Sequence, residues 1–347
     1  MINNAIYRTA LERIAGDLPM KKGRILVTGA SGLIGSCLID MLMMANSNGS
    51  NFEVYALGRN PKKLSERFEA FEDSPFLHLI IQDICHPIDI NLQVDYIVHG
   101  ASLADPRKYT LYPVETMLTI LQGTMNILNY CKTHTETRML LLSTFEVYGD
   151  NGHGEYSEED FGMVDINLLR SCYPESKRSA ELLTRCFIKE YGVNALIARL
   201  CSIYGPTMTA DDSKAHAQFI RNALSREKVV MKSKGCQRRT YCYVIDAVAA
   251  IVNILAKGEN GEVYNISYEN SVATIAEVAH CVSEITGTDV VYELPDETER
   301  HSFSTPQNCI LNNEKLRSLG WQGHYGLKEG LIETLDILKG IERITST

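Results

Sequence analysis

From residue 24 onward, short apolar runs alternate with longer stretches in which apolar positions recur every three or four residues. The runs are "RILVTG", "FEVYALG", "FLHLIIQD", "DYIVHGA" and "RMLLLST", with a sixth in "NALIARLCSIYG". Runs that are apolar nearly throughout suit strands covered on both faces, as in a parallel sheet. Alternation of such strands with helices predicts an α/β protein built on a doubly wound parallel sheet. Ahead of it, Ile6, Ala10, Leu11 and Ile14 stand at helical spacing, followed by Pro19 and "KKG". That predicts a short leading helix, packed on the body or used as an oligomer contact. Past about residue 205 the regularity falls. Short strands such as "KVVM" and "EVYNIS", with helices near 274–286 and 327–338, predict a smaller mixed unit. Residues 241–257 read as a helix that rejoins the first unit. The expected division is a leading helix at 1–22, a first domain over 23–205 plus about 240–270, and a second over about 206–239 and 271–347.

Composition narrows the function classes. Hydrophobic residues make up 45% and charged residues 22% of 347, as in an ordinary globular protein. A formal charge of −9 leaves no basic stripe for nucleic acid. The ten cysteines are scattered without a C-x-x-C pair, and the nine histidines show no H-x-x-x-H or H-E-x-x-H spacing, so no metal site is expected. The N-terminus lacks a signal-peptide core and no apolar run approaches ~20 residues, which predicts a cytoplasmic protein without a membrane partner.

The first chemical signal is "TGASGLIGSCLIDML", where Gly29, Gly32 and Gly35 form G-x-x-G-x-x-G between a strand and an apolar helix. Glycines at such a turn let the backbone approach a diphosphate, and the helix N-terminal amides supply the positive end. The pattern points to a Rossmann-type dinucleotide site lined by Gly29, Ala30, Ser31, Gly32, Leu33, Ile34 and Gly35. After the second strand, where an acidic residue would select NAD, the chain has Gly58, Arg59 and Asn60. Arg59 suits the 2′-phosphate of NADP, or is a solvated loop residue, so the choice between NAD and NADP stays open. Asp83 closes the third strand with Ile84 after it; it is placed to meet an adenine amine, or caps the strand end.

The second signal is "SCYPESKRSAE" at 171–181. Tyr173 and Lys177 are four apart, on one face of a helix. An ammonium beside a phenol favours the phenolate, which would make Tyr173 a base near neutral pH.

In chain order the glycine loop, "LLSTFEVYG" at 141–149, and Tyr173 with Lys177 resemble the extended short-chain dehydrogenase/reductase family of nucleotide-sugar epimerases, dehydratases and decarboxylases. The resemblance spans roughly 23–338. Within the family the chain is most similar to UDP-glucuronate decarboxylases, through "HGASLADPRKYTLYPVETMLTILQGTMNIL", "STFEVYGD", "RSCYPESKR", "YGPTMTADD" and "QRRTYCYVIDA". The resemblance implies that Tyr173 removes a proton from a sugar hydroxyl, typically at C4, and that Lys177 lowers its pKa and holds the nicotinamide ribose. Thr144 would hydrogen-bond the same oxygen, Glu146 would be an acid–base or orienting carboxylate, and Arg239 would lie near the sugar or diphosphate. Gly29, Gly32, Gly35, Asp83, Ala101 and Ser102 would line the cofactor. The substrate would be a nucleoside-diphosphate sugar, and the assembly a homodimer built on helices at 113–133 and 170–191.

Two positions depart from the family pattern. Phe145 stands where the resembling 4,6-dehydratases carry an aspartic acid and the decarboxylases a small polar residue. Ser202 stands where the family usually has a substrate-binding asparagine. The expectation is therefore an enzyme acting by transient C4 oxidation, as an epimerase or a UDP-glucuronate-decarboxylase-like enzyme. The competing readings are an NADPH-dependent 4-keto-sugar reductase and a non-catalytic dinucleotide-binding protein.

Overall fold

Leu26 and its neighbours Ile25 and Val27 are all at most 1% exposed, although their side chains point alternately to opposite faces. Both faces of the first strand are therefore covered, as its unbroken apolar run requires. The computed structural model, which describes residues 1–88, 91, 93–294 and 308–345, places this strand, Lys22–Thr28, in a seven-stranded sheet. Across the sheet the strands are Val263–Ile266, Asn194–Leu200, Arg138–Thr144, Tyr96–His99, Lys22–Thr28, Asn51–Gly58 and Leu77–Ile81, every pair parallel.

Each face carries its own core. Ile25, Val27, Val54, Leu140 and Leu142 pack with helices Leu33–Ser47 and Val244–Lys257. Leu26, Leu57, Ile97, Met139 and Leu141 pack with helices Pro113–Thr133 and Cys172–Tyr191. The chain builds the sheet outward from its first strand in one direction and then the other. This leaves a crevice at the carboxyl ends of the first and fourth strands, the switch point where α/β sheets bind ligands.

Three small sheets flank that edge: Val272–Thr274 with Arg238–Tyr243 and Ser202–Tyr204, Val290–Tyr292 with Val229–Met231, and Ile310–Leu311 with Glu155–Tyr156. Among the described residues no helix is long and apolar enough to cross a membrane. All ten cysteines are free thiols.

Several expectations are corrected. Val263–Ile266, within "EVYNIS", groups with the later short strands by pattern but lies in the segment of about 240–270 expected in the first domain, and it is an edge strand of the large sheet. The segment 241–257 is not helical throughout. Arg238–Tyr243 is a strand, and the helix starts only at Val244. The final helix, Leu327–Thr345, runs past the expected end at 338. Residues 295–307 of the expected second domain lie outside the described residues.

The leading helix, Ala5–Ala15, is N-capped by Asn4 and packs on the body through Ala10, Leu11 and Ile14, as their spacing predicts, but at its start Tyr7 takes the inward place expected of Ile6. Ile6 is 44% exposed, whereas Tyr7 is fully buried. A tyrosine is drawn inward because its hydroxyl has a buried partner: it donates to Asp40 at 2.9 Å. Asp40, with no exposed side-chain area, also pairs with Arg67 of helix Pro61–Phe68. One carboxylate thus ties three helices together. Replacing it would strand a mostly buried guanidinium, so Asp40→Ala is expected to lower unfolding free energy by about 3–5 kcal/mol. Tyr7→Phe should cost about 1 kcal/mol. Urea denaturation followed by circular dichroism measures both, and equal losses would contradict this arrangement.

Candidate active site

At the switch point the chain turns from strand to helix with no room for side chains. Gly29 has φ +74°, and a Cβ there would lie 2.9 Å from the Gly100 carbonyl oxygen. A Cβ on Gly35 would lie 2.5 Å from the Gly29 oxygen. The first glycine therefore permits the turn and the third permits the helix to pack on it. Gly32 is the N-cap of helix Leu33–Ser47 and supplies no capping side chain, and Leu33 and Ile34, which open that helix, line a cavity of about 1330 Å³. Uncapped N-terminal amides on a glycine loop fit a diphosphate. The volume exceeds the roughly 300–1,000 Å³ of an ordinary small-molecule pocket. It suits a dinucleotide together with a second extended ligand.

The far wall comes from the strand end at Thr144, the 3-10 turn Phe145–Tyr148, and helix Cys172–Tyr191. Tyr173, 5% exposed, lies beside the hydroxyl-bearing side chains of Thr144 and Tyr109. The Tyr109 ring stacks on it with centroids 4.3 Å apart and planes 9° from parallel. Lys177 is equally buried and donates to the Leu142 carbonyl at 2.8 Å. The expected lowering of the Tyr173 pKa by Lys177 is not what this geometry gives. Burial, followed by the charge of Glu146, pushes the phenol above its ordinary value, while Thr144 and Tyr109 partly oppose that. Lys177 is itself pushed down to about 8 by burial, with Glu181 resisting.

Glu146 is not a solvated carboxylate. It pairs with Arg170 at 3.0 Å, both side chains under 20% exposed, and both line the cavity. Phe145 lines it too, with the Arg239 guanidinium 5.7 Å from its ring centroid. Ser202 and Arg239 sit on the same wall, from adjacent strands of the three-stranded sheet.

Of the sequence-predicted cofactor residues, Gly29, Ser31, Gly32, Leu33, Ile34, Gly35, Arg59, Ile84, Ala101 and Ser102 line the cavity. Two do not. Ala30 is fully buried in the core. Asp83 accepts the Cys85 amide at 2.9 Å, its strand-end role, and meets Arg59 at 3.7 Å at the rim. Thr144, Glu146, Tyr173 and Lys177 all come together as expected.

Sequence reading missed Tyr109, Arg170 and Asp105. Tyr109 lies in the quoted "DPRKYT" segment but carries no motif of its own. Arg170 is three residues before Tyr173, aimed at Glu146 by the turn Leu169–Ser171. Asp105 caps helix Pro106–Leu111 and accepts both the amide and the hydroxyl of Ser213 at 2.8 Å, joining two distant segments across the cavity. Among the described residues no group of side chains is suited to hold a metal ion.

Comparison with known proteins agrees with this construction. The sequence model of the NAD dependent epimerase/dehydratase family matches residues 25–267. The chain is 34% identical to UDP-glucuronic acid decarboxylase 6 of Arabidopsis thaliana over 309 residues, covering 89% of this chain and 86% of that one. It is 32% identical to UDP-glucuronic acid decarboxylase 1 of Xenopus tropicalis over 316 residues, covering 90% and 71%. Among solved structures, a UDP-glucuronic acid 4-epimerase from Bacillus cereus in complex with UDP-glucuronic acid and NAD superposes with TM-score 0.77. Its identity is 24%, with 92% of this chain and 99% of that chain covered. A dTDP-glucose 4,6-dehydratase from Streptomyces venezuelae gives 0.79 at 24% identity, covering 92% and 98%. The chain belongs to the NAD-dependent epimerase/dehydratase family.

The glycine geometry yields a direct check. Gly29→Ala places a methyl against the Gly100 backbone in a left-handed conformation, a strain of about 1–3 kcal/mol. NADH fluorescence titration should show at least ten-fold weaker binding, whereas Gly16→Ala, with nothing within 4 Å and ordinary φ, leaves it unchanged.

Proposed function

We propose that this protein acts on a nucleoside-diphosphate sugar through transient oxidation at C4, and that decarboxylation of UDP-glucuronate is the reaction the site supports best. One observation carries the reading: a buried phenol flanked by Thr144 and Tyr109 lies beside a carboxylate–guanidinium pair, and all of them line the cavity that the glycine loop also lines. We assign dinucleotide binding to 23–205 with about 240–270, and sugar binding to about 206–239 with 271–347.

The glycine loop and uncapped helix would hold the diphosphate of the dinucleotide, and Lys177, Ala101 and Ser102 its nicotinamide end. When bound, that group supplies the acceptor for the C4 hydride and its return at the end. Tyr173 takes the C4 hydroxyl proton, and Thr144 and Tyr109 beside it act to lower its pKa against the effect of burial. A ketone at C4 is β to a carboxylate carried on C5, so loss of CO2 delivers its electrons into an enolate. Glu146, oriented by Arg170, is placed to manage the proton at C5, and Arg239 stands where it can meet the carboxylate or diphosphate.

Phe145 carries no proton to donate, which disfavours 4,6-dehydration. The same apolar ring supports the second reading, 4-epimerisation, because that outcome needs no donor at this position. A 4-keto-sugar reductase would draw on Arg59 for NADP; Arg59 lies at the cavity rim, 57% exposed and 3.7 Å from Asp83.

Incubation with UDP-glucuronate should give a UDP-pentose by mass spectrometry. An unchanged mass with a UDP-galacturonate NMR spectrum would instead establish epimerisation, and no change in either would reject the proposal. Tyr173→Phe should reduce turnover by roughly 10²–10⁴-fold while NADH binding persists.

We also propose a homodimer. Val114, Leu118 and Met125 on helix Pro113–Thr133, and Leu182 on Cys172–Tyr191, are apolar yet 38–63% exposed, as a helical face awaiting a second copy would be. Sedimentation should give twice the chain mass, falling to one chain in Val114→Glu/Leu118→Glu.

A further inference from the structure

Four residues past Lys177 and eight past Tyr173, Glu181 occupies the same face of helix Cys172–Tyr191 and is 5% exposed. Strands beneath the helix moor its carboxylate. Ser143 Oγ donates to Oε1 at 2.5 Å, and Arg199 donates from Nη2 to Oε2 at 2.7 Å and from Nε at 3.1 and 3.2 Å. Ser143 and Arg199 are register partners on adjacent strands, so both side chains reach the same point. Ser143 also lies between Leu142, whose carbonyl accepts from Lys177, and Thr144, whose hydroxyl meets Tyr173. One carboxylate therefore locks the helix turn that carries Lys177 to the strand end that carries Thr144.

We propose that Glu181 is a positioning residue of this site, fixing Lys177 against the strand end and supplying the negative charge that keeps it an ammonium at neutral pH. The proposal rests on the reading of Tyr173 and Lys177 given above.

The other groups around Lys177 do not supply that charge. His99, on the strand Tyr96–His99, is bracketed by Thr28 at 2.8 Å and Thr124 at 3.3 Å. Burial and then the charge of Lys177 push it down to about 3, which leaves it neutral. Tyr173, raised by burial, is neutral in the free protein. Arg199 is a cation, but Glu181, the Glu158 carbonyl at 2.9 Å and the Tyr148 ring at 4.7 Å engage it; the Glu158 side chain turns to the Asn265 amide. The sign follows. A lysine held down by burial loses its proton as pH rises through about 8, with Glu181 delaying that loss. Without Glu181 the loss begins at lower pH.

The test uses the full chain labelled with 13C at the lysine Cε, with the Lys177 signal identified by its absence in Lys177→Arg. In Glu181→Gln the titration midpoint should fall by about one pH unit, a ten-fold loss of proton affinity. The alkaline limb of kcat/KM should fall with it, and Glu181→Asp should restore most of both. A merely structural role would lower the melting temperature and leave the midpoint in place, which would overturn the proposal. If Glu181→Gln does not fold, Arg199→Gln removes the competing cation, and the midpoint should rise; an unchanged or lower one overturns the proposal. A shifted midpoint in a protein that turns over no nucleotide sugar would sink the functional reading and leave the role of Glu181 standing.

Discussion

The site depends on one backbone contact, the approach of Gly29 to Gly100 and Ala101 at the carboxyl ends of the first and fourth strands. Thr28 reinforces it from below. Its hydroxyl accepts the amides of both Gly100 and Ala101 at 3.2 Å and meets His99 Nδ1 at 2.8 Å. Because Thr28 serves two amides, it donates to the ring, which fixes His99 with its proton on Nε2, toward Thr124. A neutral, tautomer-fixed imidazole is a rigid spacer under the crevice. It holds two loops a fixed distance apart without placing a second cation beside Lys177.

The electrostatics follow from burial more than from pairing. Tyr173 and Lys177 share a helix face, and each is displaced from its ordinary pKa in the direction that burial dictates, the phenol up and the amine down. Both shifts favour the neutral forms. Thr144 and Tyr109 pull the phenol back down and Glu181 pulls the amine back up. Glu181 does so from a fixed position, because Ser143 and Arg199 already hold its carboxylate, so it costs no reorganisation when a proton moves.

How much of this was legible depends on the range of each interaction. The strands were legible because burial on both faces leaves no room for alternation, and the glycine loop because a left-handed turn and a close helix exclude other residues. Tyr173 and Lys177 were legible because helical spacing alone brings them to one face. Tyr109 was not, since its partner lies 64 positions away and only the short helix Pro106–Leu111 delivers its ring. Arg170 was hidden for a different reason. A three-residue turn turns it toward Glu146, and no periodicity announces such a turn. Ile6 misled because a buried carboxylate at Asp40 makes a tyrosine the better inward residue, which aliphatic spacing cannot register. Likewise, the local sequence of Val263–Ile266 says nothing about which sheet has a vacant edge.

Phe145 shows how a single side chain narrows chemistry that the rest of the site leaves open. A C4 ketone can be reduced from either face, can lose CO2 where C5 bears a carboxylate, or can lose water from C6 once C5 is deprotonated. Water loss needs a proton delivered to a departing hydroxide, and a benzyl group has none. The ring also presents a face to Arg239, whose guanidinium lies 5.7 Å from its centroid, within the range of a cation–π contact. The side chain that lacks a proton to donate is therefore also the one against which this cation lies. Under the proposed reading a carboxylate on C5 is the group whose departure the ketone promotes, and a cation on this wall favours binding it.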